Sequence, residues 1–541
     1  MLVILAFSYL FFFLYLGSYS LKEPDEGRYA EIPREMVEQG DYVVPHLNYV
    51  RYFEKPPLLY WITALSYKIQ GISEWSFRLP NALLALGCVL FTYLFTARRF
   101  TDECAFASSF ILASSFGFFA MARVVTIDML LSFLLFAALL CFYEFYLGRR
   151  RRFLYLFFVS LALAVLAKGP IAIILLGATI GLFLFVEKRL SFLREMASLK
   201  GMLLFGVIAA PWFIVVSLKE REFFRFFFVD QNITRFLTTK HNRSGPLYYF
   251  IPVILGGLFP WSFFIPRALV RMWRSKEMRL FMTWSAVIFV FFSVSGSKLI
   301  PYVLPIFPAL SIVLGWLFTR QRGTRVRWNH EVVAYVVFFL VLALGGLAAG
   351  TGVLVRRLPH VPEIAVAAGP LRGLAFAMSA VALVMLALFT LKRMRTFGAL
   401  FYGLGAFSVV VVFGLLVYTP AIDGFNTTKS LARAINQRSR ADTAIVNYGA
   451  FDETLPFYTG KRTYVADYRG ELDMGSRYAD GQPFFLDREG LVRIFRSDRP
   501  VFVVCKSKRL SRLKELGVEG AGAAMCQDDR CVIANQRALG G

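Results

Sequence analysis

Residues 125–152 read VTIDMLLSFLLFAALLCFYEFYLGRRRR, and this stretch decides the class of fold. From Val125 to Leu147 the only charged residues are Asp128 and Glu144, and four arginines follow directly afterwards. An apolar run of roughly 18 residues or more spans a bilayer as a helix, because a helix satisfies its own backbone hydrogen bonds in lipid. The stretch therefore predicts a transmembrane helix with its arginine-rich end in the cytoplasm.

The rest of the chain repeats this pattern. Its 541 residues are 57% hydrophobic and only 18% charged, which excludes an ordinary soluble enzyme. The segments 153–167 and 170–186 are short enough to form either two spans or one broken span. Counting them as two, we predict thirteen spans, at approximately 1–20, 79–97, 104–120, 125–147, 153–167, 170–186, 201–217, 248–266, 280–296, 301–319, 332–355, 373–391 and 397–418.

The positive charge is distributed unequally between the two sides of the predicted membrane. With a cytoplasmic N-terminus, the six short inner connections hold 22 Lys and Arg against 6 Asp and Glu, whereas the short outer connections hold only six Lys and Arg. This bias predicts a cytoplasmic N-terminus, thirteen spans and an outer C-terminus. Most of the net charge of +24 is thus a signal of topology, and we expect no nucleic-acid partner.

Three segments remain outside the membrane, at 21–78, 218–247 and 420–541. The first contains a stretch that predicts an interfacial helix, Arg28–Gln39, and a second, Pro56–Ile69, that is too short to span and predicts an interfacial or a re-entrant helix. We therefore divide the chain into a membrane domain, 1–419, and a small outer α/β domain, 420–541. The patterns in the outer domain predict helices at Thr427–Arg438, Asp487–Phe495 and Arg509–Leu516, and strands at Ala444–Tyr448, Val501–Cys505 and Cys531–Ala534.

Cysteines in this outer domain suggest a disulfide. Cys526 and Cys531 could close a small loop in an oxidising compartment, and Cys505 could compete for either partner.

Carboxylates follow the first span in the sequence KEPDEGRYAE, residues 22–31. A tight turn with Pro24 and Gly27 holds Asp25 at the membrane surface, where it could face a polar substrate group. The alternative is a solvated loop in which Asp25 is the N-cap of the following helix.

A second motif, RYFEKPPLLYW, occupies residues 51–61. Lys55 precedes two prolines at the start of an interfacial helix and can meet a lipid phosphate, while Tyr60 and Trp61 lie at headgroup level. As the alternative, Lys55 simply extends its ammonium group to the interface.

Charged residues also lie at the outer ends of predicted spans. A carboxylate such as Asp128 is costly near hydrocarbon unless it faces a cavity or a partner. Three lysines at outer ends, Lys55, Lys168 and Lys298, could converge on one anionic group, with Tyr302 nearby. Together they predict a phosphate site.

The outer loop 218–247 contains the sequence KHNRSGP at 240–246. Arg243 is a candidate for a bidentate phosphate contact. His241 could join Glu54 as a ligand of a structural divalent ion such as zinc, although two ligands do not make a zinc site. The alternative is a hydrogen-bonded loop histidine.

Together these motifs resemble those of the GT-C membrane glycosyltransferases that use polyprenyl-phosphate sugars. Within that superfamily the chain is most similar to the lipid A aminoarabinose transferases, which are related to the protein O-mannosyltransferases. The resemblance rests on the acidic turn, Glu54-Lys55-Pro56-Pro57, the outer-end Asp128, Ser297-Lys298 with Tyr302, and the plan of thirteen spans with an α/β tail. Residues Tyr468–Leu472 match a Gly-Glu-Leu element of that branch more weakly.

The resemblance implies an inverting transfer of 4-amino-4-deoxy-L-arabinose from undecaprenyl phosphate to a lipid A phosphate, at the periplasmic face of the bacterial inner membrane. It implies no cofactor for catalysis, a monomer embedded in membrane lipids, and Asp25 and Asp128 as the catalytic residues nearest the sugar. The implied substrate-binding residues are Arg28, Tyr29, Lys55, Tyr60, Lys168, Arg243, Lys298, Tyr302 and Glu471. The alternatives are transfer to a protein hydroxyl, a flippase for lipid-linked sugars and a non-catalytic scaffold.

Overall fold

The computed structural model describes residues 1–234, 245–324, 396–418, 423, 425–520, 522 and 524–539, with scattered positions between 337 and 387. The chain divides into two compact units. The first, here called the helical unit, is Met1–Leu16 with Asn81–Ile422, and the second, the α/β unit, is Gly17–Pro80 with Asp423–Gly541. The first outer loop thus packs with the C-terminal segment, which the sequence did not indicate.

Long apolar helices dominate the first part of the chain. Among the described residues, five helices are long and apolar enough to cross a membrane, or up to seven if each of two bent pairs is one span. The helices of the helical unit are Leu2–Phe13, Glu74–Arg99 from Asn81 onward, Asp102–Ser114, Phe116–Arg123, Ile127–Gly148, Arg151–Lys168, Ile171–Val186, Phe192–Met196, Leu199–Lys219, Phe250–Gly257, Ile265–Met272, Lys276–Val294, Ile306–Arg320 and Phe397–Tyr418, with a π-helix at Arg225–Thr234 and 3₁₀ turns at Trp261–Phe264 and Ile300–Val303.

Several predicted spans are shorter or more bent than expected. The predicted span 1–20 is helical only over Leu2–Phe13, which is about 18 Å at 1.5 Å per residue and shorter than a bilayer core. The predicted span 104–120 is bent by 62° between its two helices. At that bend the hydroxyls of Ser114 and Ser115 donate to the carbonyls of Phe110 and Ile111, which competes with regular helix geometry.

Two further predicted spans are also interrupted. The span 248–266 consists of helices that meet at 114°. Segments 153–167 and 170–186 are two separate helices, because Gly169 adopts a positive φ of 83° and Pro170 precedes the next helix. The predicted span 332–355 lies outside the described residues apart from isolated positions, and 373–391 is described only in part. The total of thirteen spans stays a prediction.

The α/β unit contains a six-stranded sheet. After a small hairpin of β1 (His46–Leu47) and β2 (Val50–Arg51), the strands are β3 (Ala444–Tyr448), β4 (Tyr464–Ala466), β5 (Phe485–Leu486), β6 (Val501–Lys506), β7 (Met525–Gln527) and β8 (Arg530–Ala534). Their order is β5-β4-β3-β6-β8-β7. The first four strands are parallel, and β8 pairs antiparallel with β6 and β7.

Helices accompany this sheet. They are Asp25–Gln39, Leu58–Gln70, Lys429–Arg438, Thr454–Thr459, Asp473–Ser476, Arg488–Phe495, Leu510–Glu515 and Gln536–Leu539. The six elements predicted for the tail and the two loop helices are all present, with ends that coincide with the prediction or differ by at most three residues. The sequence missed β4, β5, β7 and helix Thr454–Thr459, which are short and therefore carry little periodic signal.

Both faces of the central strands are buried. On one face Val446 and Val503 pack in a cluster with Leu491 of a following helix. On the other face Ile445 and Phe502 pack in a second cluster. A parallel strand covered on both sides reads as a continuous apolar run, which is why β3 and β6 were recognisable in the sequence.

The predicted disulfide between Cys526 and Cys531 is present and joins neighbouring strands β7 and β8. Cys505 lies on β6, opposite Cys531, and is a buried free thiol.

Candidate active site

The acidic turn begins the helix Asp25–Gln39, which packs closely on helix Thr454–Thr459. A Cβ atom added to Gly27 would lie 2.7 Å from the backbone nitrogen of Thr454, so only glycine allows this approach. Glu23 completes the contact, because its carboxylate accepts hydrogen bonds from the backbone nitrogens of Glu453 at 2.9 Å and Thr454 at 2.8 Å. Glu23 therefore has a structural role at a helix N-terminus.

Glu26 is also structural. Its carboxylate forms two hydrogen bonds with Arg78, at 2.9 and 2.7 Å, and both side chains are almost completely buried. Arg78 also donates to the carbonyls of Tyr19 and Ser20. This pair joins the start of the loop to its end, and it leaves the Glu26 carboxylate little access to a substrate.

Asp25 differs from both glutamates because its side chain is 50% exposed. The alternative that Asp25 is an N-cap is wrong: the N-cap position is Pro24, and Asp25 lies in the first helical turn. A carboxylate in the first turn of a helix is favoured by the helix dipole. Of the three carboxylates in the turn, Asp25 is thus the one open to a substrate.

Arg28 connects this turn to the C-terminal segment. Its Nη2 and Nε atoms lie 2.9 and 3.3 Å from the carboxylate oxygens of Glu471. Its Nη1 atom lies 3.6 Å from Asp25, and its Nη2 atom lies 3.9 Å from Glu453. Although burial lowers the pKa of Arg28, Glu471 and its other acidic neighbours raise this pKa well above its usual value. The structure therefore brings together three predicted site residues, Asp25, Arg28 and Glu471.

Tyrosines line this cluster. The Tyr52 hydroxyl lies 3.3 Å from a carboxylate oxygen of Glu471, and the rings of Tyr29 and Tyr60 are 6.2 Å apart. Burial raises the pKa values of Tyr52 and Tyr60, so both hydroxyls remain protonated and can take part in hydrogen bonds at neutral pH.

The sequence missed Glu453 and Tyr52. Burial raises the pKa of Glu453, and its hydrogen bond with Glu23 raises this pKa further. Glu453 follows β3 closely in sequence, but nothing local in the sequence distinguishes it from a solvated loop residue. Tyr52 belongs to the motif at 51–61, in which only Lys55 and Tyr60 were predicted to bind substrate.

Lys55 and Glu54 occupy the approach to helix Leu58–Gln70. The ammonium group of Lys55 donates to the carbonyl of Glu54 at 2.9 Å. Within the described part of the chain, no group of three or more His, Cys, Asp or Glu side chains could hold a metal ion. His241 and Arg243 lie outside the described residues, so the metal pair and the phosphate contact stay predictions.

The helical unit contains a second group of predicted residues. Asp128 lies in the first turn of Ile127–Gly148, and Lys168 lies in the last turn of Arg151–Lys168. The two form an ion pair, with side chains only 8% and 11% exposed. Each charge has the sign that its helix end favours, so the pair agrees with both helix dipoles. The Lys168 ammonium also lies 4.5 Å from the centre of the Tyr302 ring.

Lys298 belongs to the same unit but has a separate contact. It is buried, and its ammonium group donates to the carbonyl of Ser295 at 2.8 Å. The structure thus brings Asp128, Lys168 and Tyr302 together. The convergence of Lys55, Lys168 and Lys298 on one anion stays a prediction.

Comparisons with known proteins identify the family. A model described as dolichyl-phosphate-mannose-protein mannosyltransferase matches residues 54–215, and one described as aminoarabinose transferase C-terminal domain matches 431–535. The crystal structure of ArnT from Cupriavidus metallidurans bound to undecaprenyl phosphate is similar with a TM-score of 0.84 at 25% identity, over 100% of this chain and 98% of that one. The chain is similar over its whole length to the aminoarabinose transferases.

Curated relatives agree with this similarity to the aminoarabinose transferases. An enzyme of Pectobacterium carotovorum, named undecaprenyl phosphate-alpha-4-amino-4-deoxy-L-arabinose arabinosyl transferase, is 29% identical over 90% of this chain and 88% of its own length. An enzyme of the same name from Aeromonas salmonicida is 34% identical over 57% of this chain and 58% of its own. The predicted GT-C family is confirmed, and the chain is a membrane-embedded, polyprenyl-phosphate-sugar-dependent glycosyltransferase.

Proposed function

We propose that the chain transfers 4-amino-4-deoxy-L-arabinose from undecaprenyl phosphate to a phosphate group of lipid A. The observation that carries this proposal is the similarity along the whole chain to an aminoarabinose transferase bound to undecaprenyl phosphate. The printed names of the curated relatives support the same donor and sugar.

The proposed location is the periplasmic face of the inner membrane. The bias of Lys and Arg toward alternate loops supports a cytoplasmic N-terminus, thirteen spans and a periplasmic C-terminal segment. We expect a monomer, because a lipid donor and a lipid acceptor can both reach one chain from the bilayer.

The reaction forms one bond at the anomeric carbon and breaks another. An oxygen of the acceptor phosphate attacks this carbon from the side opposite the carrier. The bond from this carbon to the carrier oxygen breaks, and its electron pair leaves with undecaprenyl phosphate. Because attack and departure occur on opposite sides, the configuration of the anomeric carbon is inverted. The acceptor phosphate is already ionised at neutral pH, so the transfer needs no strong general base.

The named residues divide this work by charge. Asp25 and Asp128 stabilise the positive charge that develops on the sugar in the transition state, as carboxylates do in glycoside chemistry. Lys55, Arg243 and Lys298 hold donor or acceptor phosphate, and Lys168 holds the Asp128 carboxylate in place through their ion pair. Glu54 and His241 are the residues that would hold a structural divalent ion, and no step of the transfer depends on it.

A second candidate has one specific observation in its favour. The mannosyltransferase model matches residues 54–215 and suggests a protein hydroxyl as the acceptor. In that reaction Asp25 would have to remove the hydroxyl proton, because a neutral hydroxyl is a weak nucleophile.

Mass spectrometry of lipid A tests both candidates. A strain that lacks this chain would be complemented with the parent, with Asp25→Asn or with Asp473→Asn as a matched control. Asp473 is 45% exposed and paired with Arg477 on the C-terminal segment. Aminoarabinose on lipid A should depend on the parent, disappear with Asp25→Asn and persist with the control. Unchanged lipid A together with an altered glycoprotein profile would refute the first candidate and support the second.

A further inference from the structure

Negative charge is in excess around Arg28. Three carboxylates surround its single guanidinium group: Glu471 at 2.9 Å, Asp25 at 3.6 Å and Glu453 at 3.9 Å. Glu453 and Glu471 are only 8% and 15% exposed. Because burial and the neighbouring carboxylates raise the pKa of Glu453, the excess is counted from Asp25 and Glu471 against the single charge of Arg28, a formal charge of −1. Burying uncompensated charge is costly, so a cationic ligand would be favoured at this place.

An unpartnered hydroxyl lies beside this cluster. The Tyr60 side chain is fully buried, and its hydroxyl has no hydrogen-bond partner within the part of the chain that the structure describes. The centre of the Tyr60 ring lies 6.2 Å from that of Tyr29, which follows Arg28 in the chain. Arg28, Glu54 and Glu471 are the charged groups that act on this hydroxyl. A buried polar atom without a partner costs free energy, which indicates that a ligand supplies the partner.

We propose that the Tyr60 hydroxyl, together with Glu471 and Glu453, binds the amino group of the transferred sugar. This inference rests on the proposed function, which supplies a donor sugar with an amino group. It extends that function by assigning a subsite to the group that distinguishes 4-amino-4-deoxy-L-arabinose from the corresponding hydroxyl sugar.

An ammonium group fits the chemistry of this subsite. It has one positive charge and three N–H donors, whereas the Tyr60 oxygen and the carboxylates are acceptors. Hydrogen bonds between charged groups are stronger than those between neutral ones. A hydroxyl in the same position brings no charge, so the excess negative charge remains uncompensated and the hydroxyl sugar is discriminated against.

Kinetics with two donors test the assignment. The purified full-length chain in proteoliposomes would receive undecaprenyl phosphate carrying either 4-amino-4-deoxy-L-arabinose or L-arabinose, with lipid A as acceptor. The measured quantity is the ratio of kcat/KM for the amino donor to kcat/KM for the hydroxyl donor. Tyr60→Phe should lower this ratio about tenfold, the effect of losing a charge-assisted hydrogen bond.

Two controls separate binding from folding. Tyr60→Phe should not lower the unfolding temperature, because it removes a hydroxyl that has no partner among the described residues. Tyr464→Phe removes a hydroxyl that lies 3.4 Å from Arg499 instead, and it should leave the ratio unchanged. Glu453→Gln provides a second variant, which should lower the ratio by a similar factor.

The possible outcomes are distinct. If Tyr60→Phe and Glu453→Gln reduce transfer from both donors equally, or from neither, the assignment of this subsite is refuted. A parent that uses the two donors with equal kcat/KM also refutes it while leaving the proposed function intact. A parent that transfers neither sugar to lipid A refutes the proposed function, and this assignment with it.

Discussion

Asp25 and Glu26 are neighbouring carboxylates with opposite predicted sensitivities. Replacement of each by its amide keeps the size and shape of the side chain and removes the charge. We expect Glu26→Gln to lower the free energy of unfolding, and Asp25→Asn to abolish activity while leaving this free energy nearly unchanged. The reason is their surroundings: the Glu26 side chain is 1% exposed beside Arg78, whereas the Asp25 side chain is 50% exposed.

The expected magnitudes follow from these contacts. Glu26→Gln leaves the buried Arg78 charge without its counter-charge, which costs about 3–5 kcal/mol. The lower end is the better estimate, about 3 kcal/mol, because Arg78 keeps its bonds to the carbonyls of Tyr19 and Ser20. Asp25 lies 3.6 Å from Arg28 in a half-exposed position, so its loss should change stability by less than about 1 kcal/mol.

Thermal unfolding of the purified full-length variants, followed by a lipid A transfer assay at a temperature where each is folded, would separate the two effects. Glu26→Gln should unfold at a clearly lower temperature and keep part of its activity below that temperature. Asp25→Asn should unfold with the parent and transfer no sugar. An Asp25→Asn protein that unfolds as early as Glu26→Gln, or one that is fully active, would contradict the assignment of Asp25 to the site.

Three further predictions concern other parts of the molecule. Lys168→Met should lower the unfolding temperature, because it leaves Asp128 without its counter-charge. Adding Asp128→Asn to this variant should restore the unfolding temperature but should not restore sugar transfer. A double variant that unfolds as early as Lys168→Met would show that the two residues are not coupled. Burial raises the pKa of Asp452 to about 6 from 3.8, so its contribution to stability is complete below 3.8 and lost as the pH rises through 6. Relative to Asp452→Asn, the parent should therefore gain about 2 kcal/mol between pH 7 and pH 4, and parallel unfolding profiles against pH would contradict this. Cys526→Ser removes the disulfide with Cys531, which closes a very short loop, and should lower the free energy of unfolding by about 2 kcal/mol in the chain-entropy model. An unfolding temperature that changes neither with this substitution nor on adding a reductant would show that the disulfide is not stabilising.

Local patterns were sufficient for much of the fold. Helix Ile127–Gly148 was visible because every residue of a span must suit lipid, and strands β3 and β6 were visible because both of their faces are buried. Bends were not visible. The break near Ser115 depends on how hydroxyls and backbone share hydrogen bonds, which average hydropathy does not record.

The candidate site shows the same division. Its residue types and motifs could be read from the sequence, and resemblance to a family named Asp25, Arg28 and Glu471. The sequence could not predict that these residues lie close together in space, because Arg28 and Glu471 are separated by 443 positions in the chain. Glu453 was missed for that reason, since its importance comes entirely from its neighbours in space.

By itself, the sequence determined that this is a membrane protein with an α/β tail, because hydropathy and periodicity act over one helix or strand at a time. It also determined the family, through motifs that are contiguous in the chain. Only the tertiary structure decided which carboxylates of the acidic turn are structural and which one is accessible to a substrate. Glu23 caps a helix, Glu26 neutralises a buried arginine and Asp25 remains open to a substrate. The three side chains have nearly the same chemistry, and a charged group acquires its role from the partners that folding brings to it.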